Sequence, residues 1–228
     1  MLLLPACGGG SGSEPLVVFA ASSLGEVAPQ IEPEATVVLG GSNELAAQLR
    51  DGAAAGVFLS ASSKPVEELR AAGIVERPIA FASNRLVVVT PPDDRAAASL
   101  ADLERPGTKV VLGGEGVPVG DYARQALRAA GLERALTRVV SLEADANGVL
   151  GKVALGEADA GIVYATDARA ARGKVRSFPV PARYQPRIRY YAALVSPGSE
   201  SARRWLDRLL GEVGRAALRR GGFLQVDS

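Results

Sequence analysis

Short apolar runs alternate with amphipathic stretches along almost the whole chain. The runs are rich in Val, Leu and Ala, which is typical of strands that are buried on both faces. They predict strands over residues 16–19, 35–39, 57–60, 78–90, 109–113, 139–142, 160–164, 175–180 and 187–195. The stretches between them repeat apolar residues three and four positions apart, which indicates helices. The predicted helices are residues 24–31, 44–50, 62–71, 100–103, 121–130, 148–155 and 199–220.

This alternation of strands and helices predicts an α/β fold with mainly parallel sheets. In such sheets the ligand binds outside the carboxyl ends of the strands, where each chain segment turns into a helix. The functional residues are therefore expected at the junctions between strands and helices.

The first junction, LVVFAASSL over residues 16–24, joins an apolar strand to a serine-led helix start. Free N–H groups and the positive end of the helix dipole point at one spot there, beside a hydroxyl, which favours an anion. The simpler alternative is that Ser22 or Ser23 only caps its helix. The chain repeats the device, however, because Ser42 follows the second predicted strand in the same way.

Across the whole chain, the strand ends and helix starts nominate a small set of residues for ligand binding. They are Ser23, Ser42, Val119, Ala146 and Tyr164.

The charge and residue content limit the class of function. With 26 basic and 25 acidic residues, the net charge is only +1. This balance argues against a nucleic-acid surface, so any preference for anions must be local. The chain has no His and a single Cys, which removes the commonest catalytic base, an internal disulfide and a zinc cluster. A binding protein without a cofactor is therefore favoured over an enzyme.

The amino-terminal segment has a composition of its own. Cys7 follows Leu4-Pro5-Ala6 and precedes a Gly- and Ser-rich stretch. This resembles the end of a bacterial lipoprotein signal, in which the Cys receives lipid. Residues 1–15 are then a residual signal and tether, and the protein is exported and attached to the outer face of the plasma membrane. The alternative is a tail with an unimportant thiol.

Several motifs, in order and spacing, resemble those of the molybdate- and tungstate-binding proteins of bacterial ABC uptake systems, the ModA type. They are FAASSL at 19–24, GGSNELAAQL at 40–49, FASNRLVVVTP at 81–91, GVPVGDYARQAL at 116–127 and GEADAGIVYATDA at 156–168. The resemblance implies a type II periplasmic-binding-protein fold, with two α/β lobes and a ligand cleft between them. It implies lobe I over residues 16–83 with 190–228 and lobe II over 84–189. It also implies a monomer that delivers the oxyanion to a membrane permease with its ATPase.

The same resemblance assigns roles to the five residues at the strand ends. Ser23 and Ser42 correspond to the ligand serines, and Tyr164 corresponds to a tyrosine whose hydroxyl completes the site. Val119 and Ala146 correspond to backbone N–H donors, so their changed side chains do little harm. The segment after Leu24 is shorter than is usual in the family, which predicts a truncated first helix.

A donor-only site suits a tetrahedral dianion, because such an ion offers acceptors and no protons. Glu143 and Asp145 lie close to the site in sequence, and we expect their carboxylates to point away from it.

Three alternatives stay open on the same fold. One is a different oxyanion such as sulfate. Another is ferric ion held by Tyr190 and Tyr191, although neighbouring strand residues face opposite sides. The third is a scaffold that has lost its ligand.

Overall fold

The computed structural model describes residues 15–93 and 97–226. Cys7 and most of the expected tether lie outside these residues. The strands are β1 Val17–Ala21, β2 Thr36–Gly40, β3 Val57–Ser60, β4 Ile79–Asn84, β5 Leu86–Thr90, β6 Val110–Gly113, β7 Val139–Glu143, β8 Ala160–Tyr164, β9 Arg176–Pro179 and β10 Ile188–Leu194. The α-helices are α1 Ser42–Arg50, α2 Ser63–Ala71, α3 Pro118–Ala129, α4 Ala146–Ala154, α5 Ala165–Ala170, α6 Glu200–Leu210 and α7 Glu212–Gly221. Short 3-10 turns occupy Ser22–Leu24, Ala28–Gln30, Leu100–Glu104, Glu133–Arg138 and Ala182–Tyr184.

The strands form two sheets with matching topology. The first sheet has the order β2-β1-β3-β10-β4, and the second has the order β7-β6-β8-β5-β9. In the first sheet β10 runs antiparallel to both its neighbours, and in the second β5 does the same. The other strands of each sheet share one direction. The chain passes between the sheets from β4 to β5 and returns from β9 to β10, which confirms two α/β lobes.

Both faces of the sheets are covered, as the apolar runs predict. In β1, Val18 and Ala20 face one cluster of buried side chains, while Phe19 between them faces a second cluster against α1 and α2. In the second sheet, Val111 packs on Val149 and its neighbours in a third cluster. Packing on the sheets therefore fixes the positions of the strand ends.

The predicted helix over 24–31 forms two separate 3-10 turns instead. Leu24, Val27 and Ile31 are all buried. They are three and four positions apart, and this spacing predicted a helix. Pro29 has no backbone N–H and cannot continue an α-helix from Gly25, so the segment stays short.

Other boundaries also differ from the prediction. The predicted strand over 78–90 is two strands, β4 in the first sheet and β5 in the second. The chain crosses from one sheet to the other directly after Asn84. The predicted helix over 199–220 breaks at Gly211, whose backbone is extended, into α6 and α7. Val213, two residues after this break, is 43% exposed. The short helix α5 was missed.

No helix of residues 15–93 and 97–226 is long and apolar enough to cross a membrane.

Candidate functional site

A small cavity between the two lobes is lined by all five residues that the sequence nominated. Ser23 and Ser42 line it from the first lobe, and Val119, Ala146 and Tyr164 line it from the second. Its volume is about 10 Å³. Pockets for organic ligands usually have several hundred Å³. The cavity therefore has no room for an organic molecule of that size.

Backbone donors come from the second lobe, where two helices begin at the cavity. Helix α3 starts at Pro118 and α4 starts at Ala146, a few residues earlier than predicted. The N–H groups of Val119 and Ala146 thus fall in first helical turns, where an α-helix supplies no carbonyl partner. Gly120 lets α3 approach the end of β6, because a Cβ there would lie 2.2 Å from the Gly113 carbonyl oxygen.

The Ser42 hydroxyl accepts a bond within its own lobe and keeps its proton available. Ser42 begins α1 and is 2% exposed. Its Oγ accepts a hydrogen bond from the Ala61 backbone N–H at 3.0 Å. Since one lone pair is used in this way, the hydroxyl proton remains available to a bound acceptor.

The Tyr164 hydroxyl is buried at the cavity and has no hydrogen-bond partner within the described part of the chain. Burial raises the pKa of this hydroxyl well above its usual value, so it keeps its proton. An unpartnered buried polar group costs about 1–3 kcal/mol. A bound acceptor would relieve that cost.

The two lobes touch where Gly41 of the first faces Ala144 of the second. A Cβ on Gly41 would lie 2.3 Å from the Ala144 carbonyl oxygen, a distance that real Cβ contacts do not show. Only glycine allows this approach, which places the donors of both lobes around one cavity.

The nearby carboxylates are occupied by other partners. Asp145 lies in the cavity wall, and its Oδ1 accepts from the Gly148 N–H at 2.8 Å and caps α4. Glu143 Oε1 accepts from the Ser141 hydroxyl at 2.6 Å. The site thus offers a donor-rich surface, as the sequence predicts for an unprotonated anion.

The model of the family described as bacterial extracellular solute-binding protein matches residues 20–224. The chain belongs to this family. The solute-binding protein is 35% identical to the molybdate-binding protein ModA of Mycobacterium tuberculosis, over 93% of this chain and 85% of that one. This relative confirms the resemblance to the ModA type.

Solved structures agree on the fold. The substrate-binding domain of a putative molybdenum ABC transporter from Clostridium difficile is 26% identical, with a TM-score of 0.69, over 93% of this chain and 99% of that one. The periplasmic molybdate-binding protein of Azotobacter vinelandii has a TM-score of 0.81 at 22% identity, over 93% of this chain and 100% of that one.

Tyr190 and Tyr191 of the solute-binding protein do not form a pair. Tyr190 packs in the large cluster shared by the lobes, whereas Tyr191 packs against the cluster on the other face of the first sheet. The Tyr190 hydroxyl contacts the Ser23 hydroxyl at 2.8 Å. No group of three or more His, Cys, Asp or Glu that could hold a metal occurs among the residues described. The ferric-ion alternative therefore has no ligand cluster here.

Asp167 is a residue near the site that the sequence reasoning missed. It is 3% exposed, and its Oδ2 accepts from the Tyr164 backbone N–H at 3.1 Å, as part of the cap that starts α5. Burial raises its pKa to about 7. An acidic residue three positions after the strand end was the available signal, since this is the spacing of a helix cap.

Replacing Asp167 with Asn is expected to flatten the pH dependence of stability between about pH 4 and 7. Because the folded-state pKa lies above the unfolded value, the carboxyl contributes stability below about pH 4 that is lost as the pH rises to about 7. The loss is of the order of a few kcal/mol. Asn keeps the acceptor oxygen and has no charge to bury. Urea unfolding of both proteins from pH 4.5 to 8 measures this.

The matched control is Asp159→Asn, which removes a partly exposed carboxylate that also accepts from a backbone N–H, that of Lys109 at 2.7 Å. This substitution is expected to leave the pH dependence of the free energy of unfolding as it is in the wild-type protein. Parallel pH profiles for the wild-type protein and Asp167→Asn would contradict the assignment.

Proposed function

We propose that this solute-binding protein captures molybdate or tungstate outside the cell membrane and delivers it to an ABC permease. The observation that carries the proposal is the small cavity between the lobes, which is lined by hydroxyl and N–H donors. One of them is the Tyr164 hydroxyl, which has no hydrogen-bond partner among the described residues. The names of the relatives support molybdate as the ligand.

In this proposal the ligand is held by five donors and no counter-ion. The hydroxyls of Ser23, Ser42 and Tyr164 and the N–H groups of Val119 and Ala146 would each bind an oxyanion oxygen. Hydrogen bonds to a charged partner contribute about 1.5–3 kcal/mol each. Five of them exceed the roughly 8 kcal/mol of micromolar binding, and the surplus offsets desolvation and closure of the lobes.

The protein binds its ligand without converting it. Its sequence has no His, and its one thiol, Cys7, lies in the amino-terminal segment. The cavity presents no base beside a nucleophile, because Asp145 already accepts from its own helix. The energy for transport would come from the permease and its ATPase.

The remaining assignments belong to the same proposal. Lobe I comprises residues 16–83 with 190–228, and lobe II comprises residues 84–189. Cys7 carries a lipid that attaches the monomeric protein to the outer face of the membrane.

The test is calorimetric titration of the full chain with molybdate, tungstate, sulfate, hydrogen phosphate and ferric citrate. We expect micromolar or tighter binding of the first two and no heat from the others. Tight binding of sulfate instead would keep the donor-only site and overturn the choice of ion. Heat from ferric citrate alone, or from none of the five, would overturn the proposed function.

A further inference from the structure

A chain of hydrogen bonds leads from the crossover between the lobes to the cavity. Asn84, the last residue of β4, is 4% exposed. Its Nδ2 donates to Thr166 Oγ1 at 2.9 Å and to Tyr190 Oη at 3.3 Å. Tyr190 Oη in turn lies 2.8 Å from Ser23 Oγ. We call Asn84, Tyr190 and Ser23 the relay.

The direction of each proton in the relay follows from its fixed end. The Arg85 backbone N–H donates to Asn84 Oδ1 at 2.9 Å, which sets the orientation of the amide. Both protons of the amide nitrogen are then used on Thr166 and Tyr190. Because the Tyr190 oxygen accepts from Asn84, its own proton is free to donate to Ser23 Oγ. Either oxygen could donate in the contact between Tyr190 and Ser23, but Asn84 Nδ2 can only donate, so Ser23 Oγ is the acceptor that these contacts offer to the Tyr190 proton. In that arrangement the proton of Ser23 is left for the cavity.

Tyr190 is suited to passing on this orientation. Its side chain is fully buried, and burial raises the pKa of the hydroxyl well above its usual value, so the proton stays on the oxygen. Its ring makes edge contacts with the rings of Phe81, Tyr164 and Phe223, which hold the hydroxyl in place.

We propose that Asn84 and Tyr190 are positioning residues that fix Ser23 as a donor, and that this fixed donor selects fully deprotonated oxyanions over those that carry a proton. The inference rests on the proposed function and names a specificity device within the same site. A free serine hydroxyl can rotate and accept a proton from hydrogen phosphate. A hydroxyl that already accepts from Tyr190 has one lone pair and its own proton left. When that proton points at a ligand oxygen, a P–OH group at the same position finds no acceptor and stays unsatisfied.

Tyr190→Phe tests the relay by removing one hydroxyl and keeping the ring. We expect the affinity for molybdate to fall about tenfold, the effect of losing one well-oriented bond to an anion. Because direct titration of the wild-type protein with hydrogen phosphate should give no heat, the affinity for this ion is measured by its competition with molybdate at high concentration. This affinity should fall less or rise, so the ratio of the two affinities drops. The matched control, Tyr191→Phe, removes the neighbouring hydroxyl on the opposite face and should leave both affinities unchanged. Equal losses for both anions would overturn the proposal, because a merely structural role predicts them.

Asn84→Asp tests the direction of the protons. The introduced carboxylate would accept the Tyr190 proton, so Ser23 would have to donate to Tyr190 and turn a lone pair toward the ligand. We expect molybdate affinity to fall at least about 100-fold, and this loss to shrink at least tenfold when Ser23→Ala is added. A full loss in the Ser23→Ala background would show that the added charge acts alone and would overturn the relay.

The unliganded protein supplies a readout that does not depend on the proposed ligand. In proton NMR, the Tyr190 hydroxyl proton should exchange slowly with water and lie close to the Ser23 side chain, and Asn84→Asp should move it away. If the wild-type protein bound no oxyanion, the proposed function would fail while this signal still supported the relay. A rapidly exchanging Tyr190 hydroxyl would refute the relay.

Discussion

Gly41→Ala is expected to lower the affinity for the oxyanion at least about 100-fold while leaving the protein folded. The added Cβ would lie 2.3 Å from the Ala144 carbonyl oxygen. The backbone fixes the positions of both atoms, so no side-chain rotation can relieve this contact. The lobes would stop short of their present separation. The donors Val119, Ala146 and Tyr164 would then miss an ion held by the first lobe, at a cost of about 1.5–3 kcal/mol for each lost bond.

The substitution Gly41→Ala should affect only the closed arrangement of the two lobes. Gly41 has ordinary extended backbone angles, φ −65° and ψ 136°, which any residue adopts, so alanine introduces no strain when the lobes are apart. Calorimetry measures the affinity, and small-angle X-ray scattering measures whether the ligand still makes the protein more compact.

Gly40→Ala is the matched control for Gly41→Ala. The three atoms nearest to a Cβ on Gly40 belong to side chains of its own lobe, those of Leu45 at 3.3 Å and Glu44 at 3.7 Å. Its affinity should stay within a few fold of wild type. A Gly41→Ala protein that binds and compacts like the wild type would show that the contact with Ala144 does not govern binding.

Tyr164→Phe is expected to weaken ligand binding and at the same time leave the unliganded protein as stable as before or more so. Without ligand, the hydroxyl is buried and unpartnered within the described part of the chain, so its removal takes away an unfavourable group. With ligand, one hydrogen bond to an anion is lost, which lowers the affinity about 10- to 150-fold. Denaturant unfolding without ligand and calorimetric titration measure the two effects.

A loss of affinity without a loss of stability distinguishes a hydroxyl that binds ligand from one that stabilises the fold. A structural hydroxyl would lose stability on removal and change the affinity little, and that outcome would contradict the role given to Tyr164. Tyr191→Phe again serves as the control, since this side chain packs on the far face of the first sheet.

Local sequence patterns predicted much of this fold, and the five residues that they singled out all line the cavity. The strand that ends at Gly40 and the helix that starts at Ser42 are adjacent in sequence. A few consecutive residues are therefore enough to predict this junction between a strand and a helix. The starts of α3 and α4 were placed too late, because the apolar period of a helix is weak in its first turn. Pro118 and the capping Asp145 were the better signals for those starts.

Contacts between distant parts of the chain could not be predicted in this way. Ser23 and Tyr190 are 167 positions apart, and no period or spacing relates them. Tyr190 was considered only as an iron ligand, because its neighbour Tyr191 drew attention to the pair. The approach of Gly41 to Ala144 is equally invisible in the sequence, since it depends on how two separately folded lobes meet.

The contact between Gly41 and Ala144 also bears on the residence time of a captured ion. The walls of the cavity are divided between the lobes, so an ion bound by all of its donors loses those of one lobe in a single event, when these two backbone segments part. Its dwell time is then the waiting time for that separation, and an excess of a rival anion in solution does not shorten it. A transporter that separates the two lobes would therefore release the ion without having to compete for any of its hydrogen bonds.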